Sequence, residues 1–357
     1  MTIATVRAAV VQAEPKWLDL QAGIGQIVDL AAEAADCWAQ IIAFPETFVP
    51  GYPVWIWLDS PAWGMQMVPA YTANSMSRDG AEMARVAAAA AEHDITIVFG
   101  FSERAGGSLY MAQAVVTPAG DVHVRRKLKP THVERSVFGE GDGSDIAVFD
   151  TPLGRVGALN CWEHIQPLTK YAMYSQGEQI HVGSWPSFSL YRGAVQALSA
   201  EVNNAASMMY AVEGQVFVLA PCSVIGQAGH DLFCDSEMKK QLLLQGGGFA
   251  RIFGPEGSSL VEPLPETEEG ILYADLDFSL IALAKAVADP VGHYARPDVF
   301  QLVFNRNPVK PVMTGHLPAH DADSGERVTP AADPTGAPTD DDRGAAGFPR
   351  MPRPETV

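Results

Sequence analysis

The feature that most restricts the fold of this chain is the regular alternation of short apolar segments with longer segments of helical periodicity. Residues 5–12 and 40–46 have the composition of buried strands, and residues 19–39 between them have the spacing of an amphipathic helix. The alternation continues as far as a strand at 271–277 and a helix at 279–288. Because such alternation is typical of sheets covered by helices, the sequence predicts an α/β protein.

The remaining segments follow the same rhythm, with two of them resembling β-hairpins. In the first hairpin a turn at 118–121 precedes an alternating strand that starts at Val122, and Lys127 lies near the end of that strand. The second hairpin covers 248–260. Hairpins join antiparallel strands, so the pattern favours mixed sheets over purely parallel ones. The other predicted helices span 80–93, 164–176 and 194–212, and the other strands 95–104, 108–117, 146–150, 155–161, 179–186 and 215–225.

Composition excludes several classes of protein. The chain has 357 residues, 47% of them hydrophobic, which is enough for a sizeable core. A net charge of -18 would repel a phosphate backbone, so nucleic acid is not an expected partner. We find neither a secretory signal nor an apolar run of the roughly 20 residues that span a bilayer, and we expect a cytoplasmic protein without a membrane partner. The four cysteines include no CxxC pair, which indicates reduced thiols.

The composition changes near residue 308. The 50 residues from 308 to 357 contain nine prolines, the acidic run at 340–342 and few large apolar side chains. Such a segment buries too little apolar surface to offset the entropy of ordering it. We therefore predict one domain over 1–307 and a disordered tail over 308–357.

Cys161 occupies a position that suits a nucleophile. It ends the apolar strand at 155–161 and precedes the helix predicted at 164–176, whose N-terminal N–H groups would favour a thiolate. The alternative is that Cys161 is a small buried hydrophobic residue, which is the more frequent fate of a cysteine in a cytosolic protein.

Three charged residues are candidates for acid–base chemistry. Glu46 ends an apolar strand, where a lone carboxylate is costly to bury, so it is either a paired structural charge or a catalytic base. Lys127 belongs to a basic run, 125–129, which taken alone is more typical of a solvated face. Glu134 follows shortly after that run.

Metal and nucleotide sites find no support in the sequence. His164 follows Cys161 by three residues, but no second pair of ligands completes a zinc site. No glycine-rich phosphate loop is present either, so we expect neither a metal nor a cofactor. The tryptophans 55, 57, 63 and 185 suit the core, an interface or the wall of an apolar pocket.

Three segments together resemble one known family. They are AFPETFVPGYP at 43–53, RRKLKPTHVER at 125–135 and GALNCWEH at 157–164. In these motifs, and over about residues 5–305, the chain resembles the nitrilases of the carbon–nitrogen hydrolase superfamily, and more closely the bacterial aromatic, benzonitrilase-like enzymes. Beyond residue 308 the resemblance ends.

The resemblance implies a fold and a set of site residues. The fold would be a four-layer α-β-β-α sandwich of two mixed sheets. The catalytic glutamate, lysine and cysteine of the family fall on Glu46, Lys127 and Cys161, and a second glutamate of the site falls on Glu134. Lys127 is preferred to Lys129 because the family lysine follows Arg and another basic or aromatic residue.

The resemblance also implies an activity. Cys161 would attack a nitrile to form a thioimidate and then a thioester, and two waters would complete hydrolysis to a carboxylic acid and ammonia. The main-chain N–H of Trp162 would stabilise the tetrahedral species, while Tyr52, Trp162 and Trp185 would contact the substrate. An aromatic or arylaliphatic nitrile is the expected substrate.

Alternatives remain at this point. An amidase of the same superfamily would use the same triad, and cyanide or short aliphatic nitriles could be the substrate. A non-enzymatic filament protein ranks lower because all three motifs are intact. The resemblance further implies self-association into dimers and helical filaments.

Overall fold

A computed structural model describes residues 5–309, in which the chain forms thirteen strands and nine α-helices. The predicted tail, 308–357, lies almost wholly outside the described residues. In chain order the strands are β1 (Thr5–Ala13), β2 (Ile41–Ala43), β3 (Thr96–Ala105), β4 (Ser108–Val116), β5 (Val122–Arg126), β6 (Phe138–Gly139), β7 (Val148–Thr151), β8 (Gly154–Asn160), β9 (Ile180–Ser184), β10 (Phe217–Ala220), β11 (Cys222–Ser223), β12 (Arg251–Phe253) and β13 (Gly270–Asp277). The helices are α1 (Leu20–Asp36), α2 (Pro61–Gly64), α3 (Val68–Ala73), α4 (Ala81–Glu92), α5 (Pro167–Tyr174), α6 (Ala200–Gly214), α7 (Gln227–Phe233), α8 (Glu237–Leu242) and α9 (Ser279–Val287).

The strands form two mixed sheets, as the hairpin signals predicted. The first sheet has the order β11-β1-β2-β3-β4-β5, with β13 also paired to β1 and β6 to β4. The second has the order β12-β10-β9-β8-β7. In the first sheet β1, β2 and β3 are parallel, and in the second β8, β9 and β10 are parallel. The strands β4, β7 and β12 run antiparallel to their neighbours β3, β8 and β10.

Alternate residues of each strand point to opposite faces, and this alternation builds the layers. On β1, Val6, Ala8 and Val10 pack in one core with residues of the second sheet such as Ala158 and Val182. The other face of the first sheet packs against α1 and α4, and the far face of the second sheet against α5 and α6. The four-layer α-β-β-α sandwich is therefore present.

Two predicted helices start later than their periodicity suggested. The helix expected from 164 begins at Pro167, because the residue before a proline is driven out of the helical region and Gln166 is extended. The helix expected from 194 begins at Ala200, because the Ser199 side chain accepts a hydrogen bond from the Val202 N–H (3.3 Å) and caps it.

Two predicted strand segments are shorter than expected. The strand at 40–46 ends at Ala43, and the second arm of the hairpin at 248–260 is reduced to a bridge between Phe253 and Ser259. Among residues 5–309, no helix combines the length and apolar character needed to cross a membrane.

The carboxyl ends of the parallel strands meet between the two sheets. Glu46 follows β2, Cys161 follows β8, and Lys127 follows β5, which runs in the same direction as β3 because both are antiparallel to β4. At the end of β9, the Ser184 hydroxyl donates to the Phe44 carbonyl just after β2 (2.9 Å), which joins the two edges. The topology therefore gathers the three candidate residues at one edge of the sandwich.

Candidate active site

Lys127 and Lys129 occupy opposite environments. The main-chain N–H of Lys127 continues the β4–β5 pairing by donating to the Met111 carbonyl (2.7 Å), and its side chain is fully buried. Lys129 points outward and pairs with Glu140 at the surface, with 57% of its own side chain exposed. Of the two lysines, only Lys127 therefore reaches the interior, where it can contact the other candidate residues.

The Lys127 ammonium lies between two buried carboxylates. Its Nζ donates to Glu46 Oε1 at 2.9 Å and to Glu134 Oε2 at 2.8 Å. Burial alone would lower the pKa of Lys127, but the charges of Glu134, Glu46 and Cys161 raise this pKa above its ordinary range. Lys127 is therefore a cation held in a buried site.

Glu134 is oriented by hydrogen bonds from three sides. Besides the bond from Lys127, its Oε1 accepts from the Tyr52 hydroxyl (2.8 Å) and its Oε2 from the Thr131 N–H (2.6 Å). The Tyr52 hydroxyl in turn accepts from Trp57 Nε1 (2.9 Å). Glu134 thus has a full set of partners, which suits an orienting role.

Glu46 differs from Glu134 because one of its carboxylate oxygens has no hydrogen-bond partner among residues 5–309. Its main-chain N–H donates to the Trp185 carbonyl (3.3 Å), which fixes the backbone, while Oε2 is buried without a hydrogen-bond partner among residues 5–309. Burial raises the pKa of Glu46 to about 8, against the opposing charge of Lys127. The Lys127 ammonium favours the ionised form of Glu46, and in that form a carboxylate with a free oxygen and a raised pKa can take up a proton.

Cys161 sits at a sharp turn directly after β8. Its φ of 46° lies in the left-handed region, which is uncommon for a residue with a side chain and is frequent at functional sites. The turn Cys161–Ile165 is a short 3-10 helix, so Cys161 does not lie at the N-terminus of an α-helix. This corrects the sequence-based expectation that such a helix would favour the thiolate.

The electrostatics of Cys161 reinforce that correction. Burial and the charge of Glu46 raise the pKa of the Cys161 thiol above its ordinary range, although Lys127 and the Trp162 N–H act to lower it. The thiol therefore needs a neighbouring base to remove its proton at neutral pH. Among residues 5–309 the other cysteines offer no rival on the cavity wall: Cys37 is exposed, and Cys222 and Cys234 are buried.

Beside Cys161 lies a small cavity with mainly apolar walls. Tyr52 and Trp162, two of the residues expected to bind substrate, line it. Trp185, the third, does not: it is buried, stacks on His164 at 5.2 Å between ring centroids and donates to Ser207 Oγ (2.9 Å). The rest of the lining consists of Trp57, Thr131, Glu134, Cys161, Pro186, Ser187, Phe188, Leu190, Leu198 and Asn203.

A second ion pair, which the sequence analysis missed, ties the segments of Lys127 and Cys161 together. Arg125 and Glu163 form a buried bidentate pair at 2.7 and 2.9 Å. Glu163 also accepts from the main-chain N–H groups of Leu128 and Asn160, both at 2.8 Å. Strand alternation could have revealed Arg125, because residues two apart along an extended chain point to the same side and Lys127 directly follows β5.

Comparison with known proteins gives the class to which this fold and site belong. The family described as Carbon-nitrogen hydrolase matches residues 7–286. The crystal structure of a carbon-nitrogen hydrolase from Helicobacter pylori G27 has a similar fold, with a TM-score of 0.64 at 18% identity, covering 83% of this chain and 97% of that one. The chain therefore belongs to the carbon–nitrogen hydrolase family.

Relatives of higher identity narrow the assignment. A nitrilase of Pseudomonas syringae pv. syringae (strain B728a) is 54% identical over 304 residues, which are 85% of this chain and 90% of the relative. An aliphatic nitrilase of Rhodococcus rhodochrous is 52% identical (88% and 87% covered), and an arylacetone-specific nitrilase of Alcaligenes faecalis is 50% identical (87% and 88%). Within its family the chain is a nitrilase, as the three motifs predicted. The narrower prediction of an aromatic branch stays a prediction, since relatives named for aliphatic and for arylacetone specificity are similarly close.

Proposed function

We propose that Cys161 is the nucleophile with which this nitrilase converts a nitrile and two waters into a carboxylic acid and ammonia. The observation that carries the proposal is the placement of a buried Glu46–Lys127–Glu134 cluster next to a cysteine on the wall of an apolar cavity. No cofactor is needed, because the side chains present supply a base, a nucleophile and a donor to developing charge.

The first half of the reaction forms the thioimidate. The free Oε2 of Glu46 takes the proton of Cys161, and the sulfur attacks the nitrile carbon. The nitrogen gains negative charge as the triple bond opens and then accepts a proton. Lys127 and the Trp162 N–H are the donors that stabilise this charge, in a site where burial strengthens each hydrogen bond.

The second half of the reaction regenerates the free enzyme. A water activated by Glu46 adds to the thioimidate carbon, and collapse of the tetrahedral species expels ammonia and leaves a thioester on Cys161. A second water, activated in the same way, releases the carboxylic acid and restores the thiol. Glu134 keeps Lys127 charged and directed during both halves, because it is fully hydrogen-bonded and close to the ammonium.

We further propose an aromatic or arylaliphatic nitrile as the preferred substrate, because Tyr52, Trp57, Trp162 and Phe188 line the cavity and aromatic rings pack well against one another. Ammonia release should be measured over pairs of nitriles and amides that share one side group, with cyanide and short aliphatic nitriles included. We expect aryl and arylalkyl nitriles to be hydrolysed fastest and the matching amides slowly or not at all. Faster release from the amides would instead support an amidase, and a preference for cyanide would contradict the proposed substrate class.

We also propose that the enzyme assembles into dimers and helical filaments. Apolar side chains stand exposed along α6 and on α5, which is the pattern of a surface that another molecule covers; they are Leu168, Val202, Met208, Met209 and Val212. A repeated contact between identical chains that does not close on itself generates a helix.

The tail can be tested separately from the assembly. A chain truncated after residue 309 keeps the hydrogen bond from the Val309 N–H to Asp142 (2.7 Å) and removes most of the predicted tail. Because the tail is acidic, its removal lessens like-charge repulsion, and we expect full ammonia release and assemblies at least as large as those of the whole chain. Light scattering after size-exclusion chromatography measures this. A fully active monomer would contradict the assembly, and an inactive truncated protein would contradict the dispensability of the tail.

A further inference from the structure

Behind Cys161 runs a chain of buried hydrogen bonds that the mechanism above does not use. His164 Nδ1 lies 2.6 Å from the main-chain oxygen of Cys161, and His164 Nε2 lies 2.9 Å from His181 Nε2. His181 Nδ1 then lies 2.7 Å from Glu178 Oε1, and the Tyr210 hydroxyl donates to Glu178 Oε2 at 2.7 Å. All four side chains are at most 2% exposed, so their donors and acceptors must be matched to one another and not to bulk solvent.

The Cys161 carbonyl at one end of this series of hydrogen bonds determines which ring nitrogens carry a hydrogen. A carbonyl oxygen only accepts, so His164 Nδ1 carries a hydrogen, and the other nitrogen of the neutral ring must accept from His181 Nε2. If His181 is also neutral, its Nδ1 has a lone pair and needs a donor. The group facing that nitrogen is Glu178, which can donate only as a carboxylic acid.

The alternative is an imidazolium paired with an ionised Glu178, and the surroundings oppose it. Burial lowers the pKa of His164 to about 3 and that of His181 well below its ordinary range. Arg125 and Lys170 repel a positive charge on these rings and Glu163 attracts one, while the second oxygen of Glu178 faces the neutral hydroxyl of Tyr210. Burial raises the pKa of Glu178 to about 8, with the Tyr210 hydrogen bond opposing.

Two glycines on neighbouring strands leave room for the hydrogen-bonded side chains of Glu178 and His164. A Cβ at Gly157 on β8 would overlap the Glu178 carboxyl group, and a Cβ at Gly183 on β9 would lie 2.9 Å from His164 Nε2. The ring of His181 also stacks on Tyr210, with 3.7 Å between centroids. The fold therefore accommodates this particular arrangement of side chains.

We propose that Glu178 is a buried carboxylic acid which, through His181 and His164, holds the main-chain carbonyl of Cys161 and so keeps the nucleophile in its left-handed conformation. Glu178, His181 and His164 are positioning residues, since none of them lines the cavity that contains Cys161. This inference rests on the proposed role of Cys161. Loss of the proton from Glu178 would leave two lone pairs facing each other at one of these hydrogen bonds. The Cys161 carbonyl would then be held less firmly, and the turn at Cys161 would become more mobile.

The test compares Glu178→Gln with Glu178→Leu. The amide of Gln can donate to His181 Nδ1 and accept from Tyr210, as the carboxylic acid does, whereas Leu can do neither. We expect Gln to keep kcat within about threefold of the native value, and Leu to lower kcat by up to about 100-fold with little change in KM, the scale of a displaced catalytic group. Glu213→Gln is the matched control, because Glu213 also accepts from a tyrosine hydroxyl (Tyr174, 3.1 Å) but is 39% exposed.

Two readouts do not depend on activity. An infrared difference spectrum between neutral and alkaline pH should show a carboxylic-acid carbonyl band that Glu178→Gln removes and Glu213→Gln retains; Glu46→Gln identifies any band from Glu46. Between pH 4.5 and about 8 the native state holds a proton on Glu178 that the unfolded state lacks, so the native melting temperature should fall relative to Glu178→Gln as pH rises through this range.

The outcomes separate this inference from the role of Cys161. A band assigned to Glu178, together with retained activity in Gln and lost activity in Leu, supports the positioning chain. Absence of the band, or equal losses in both variants, overturns it even if Cys161 proves to be the nucleophile. Should Cys161 not be the nucleophile, the infrared and melting results still decide the protonation of Glu178.

Discussion

Replacing Cys161 with Ala is expected to abolish ammonia release while leaving the protein folded. The sulfur forms every covalent intermediate of the proposed reaction, so its removal should cost several orders of magnitude in kcat, on the scale of about 10⁶ known for loss of a nucleophile. The substitution removes one atom from a residue at the cavity wall, and the surrounding sheets lose little packing. Activity and stability should therefore separate cleanly.

Mass spectrometry gives the decisive measurement for Cys161. The native enzyme, quenched during turnover, should carry a substrate-derived adduct on the peptide that contains Cys161, and Cys161→Ala should carry none. Cys234→Ala serves as the control, because Cys234 is a free cysteine away from the cavity lining. An adduct localised to Cys222 or Cys234 would contradict the assignment of Cys161 as the nucleophile.

Replacing Lys127 with Ala is expected to damage both catalysis and stability. Loss of the donor to the developing charge should lower kcat by about 10²–10³-fold or more. The same change leaves Glu46 and Glu134 buried without their shared cation, and breaking a buried ion pair in this way costs about 3–5 kcal/mol of unfolding free energy. The variant should therefore be both slow and less resistant to denaturant.

The neighbouring lysine provides the matched control. Lys129→Ala breaks only an exposed pair with Glu140, so it should cost about 0–1 kcal/mol and leave turnover unchanged. Urea unfolding of each variant gives the folded fraction, and turnover is expressed per folded molecule. Comparable losses in Lys129→Ala would show that the wrong lysine has been placed in the site.

Much of the fold could be predicted from local pattern alone. β1, β3 and β4 fall within a residue or two of the apolar segments that indicated them, because a strand buried on both faces is largely a continuous apolar run. β13 is equally close to its prediction, although its buried and exposed residues alternate towards its end. Element boundaries were less predictable where a cap or a proline decided them, as at Ser199 and Pro167. The packing of two sheets face to face came from the resemblance and not from periodicity, because periodicity states which face is buried and not what covers it.

The candidate site shows the same division. Residue patterns left Glu46 open between a paired charge and a base, and left Lys127 open between the interior and a solvated face. Glu46 and Lys127 are 81 residues apart, and the ion pair between them exists only because β2 and β5 end at the same edge of one sheet. The free oxygen of Glu46 then lets it be both a partner of Lys127 and a candidate base.

The sequence by itself determined the succession of strands and helices and, through three motifs, the family and the residues most worth testing. Only the tertiary structure decided that Arg125 pairs with Glu163 inside the protein, that Trp185 is not on the cavity wall, and that no α-helix terminus lies at Cys161. It alone brought His164 and His181 behind the nucleophile. The physical reason is that local sequence governs backbone preference, whereas burial and the partner that each polar group meets depend on chain segments that only folding brings together.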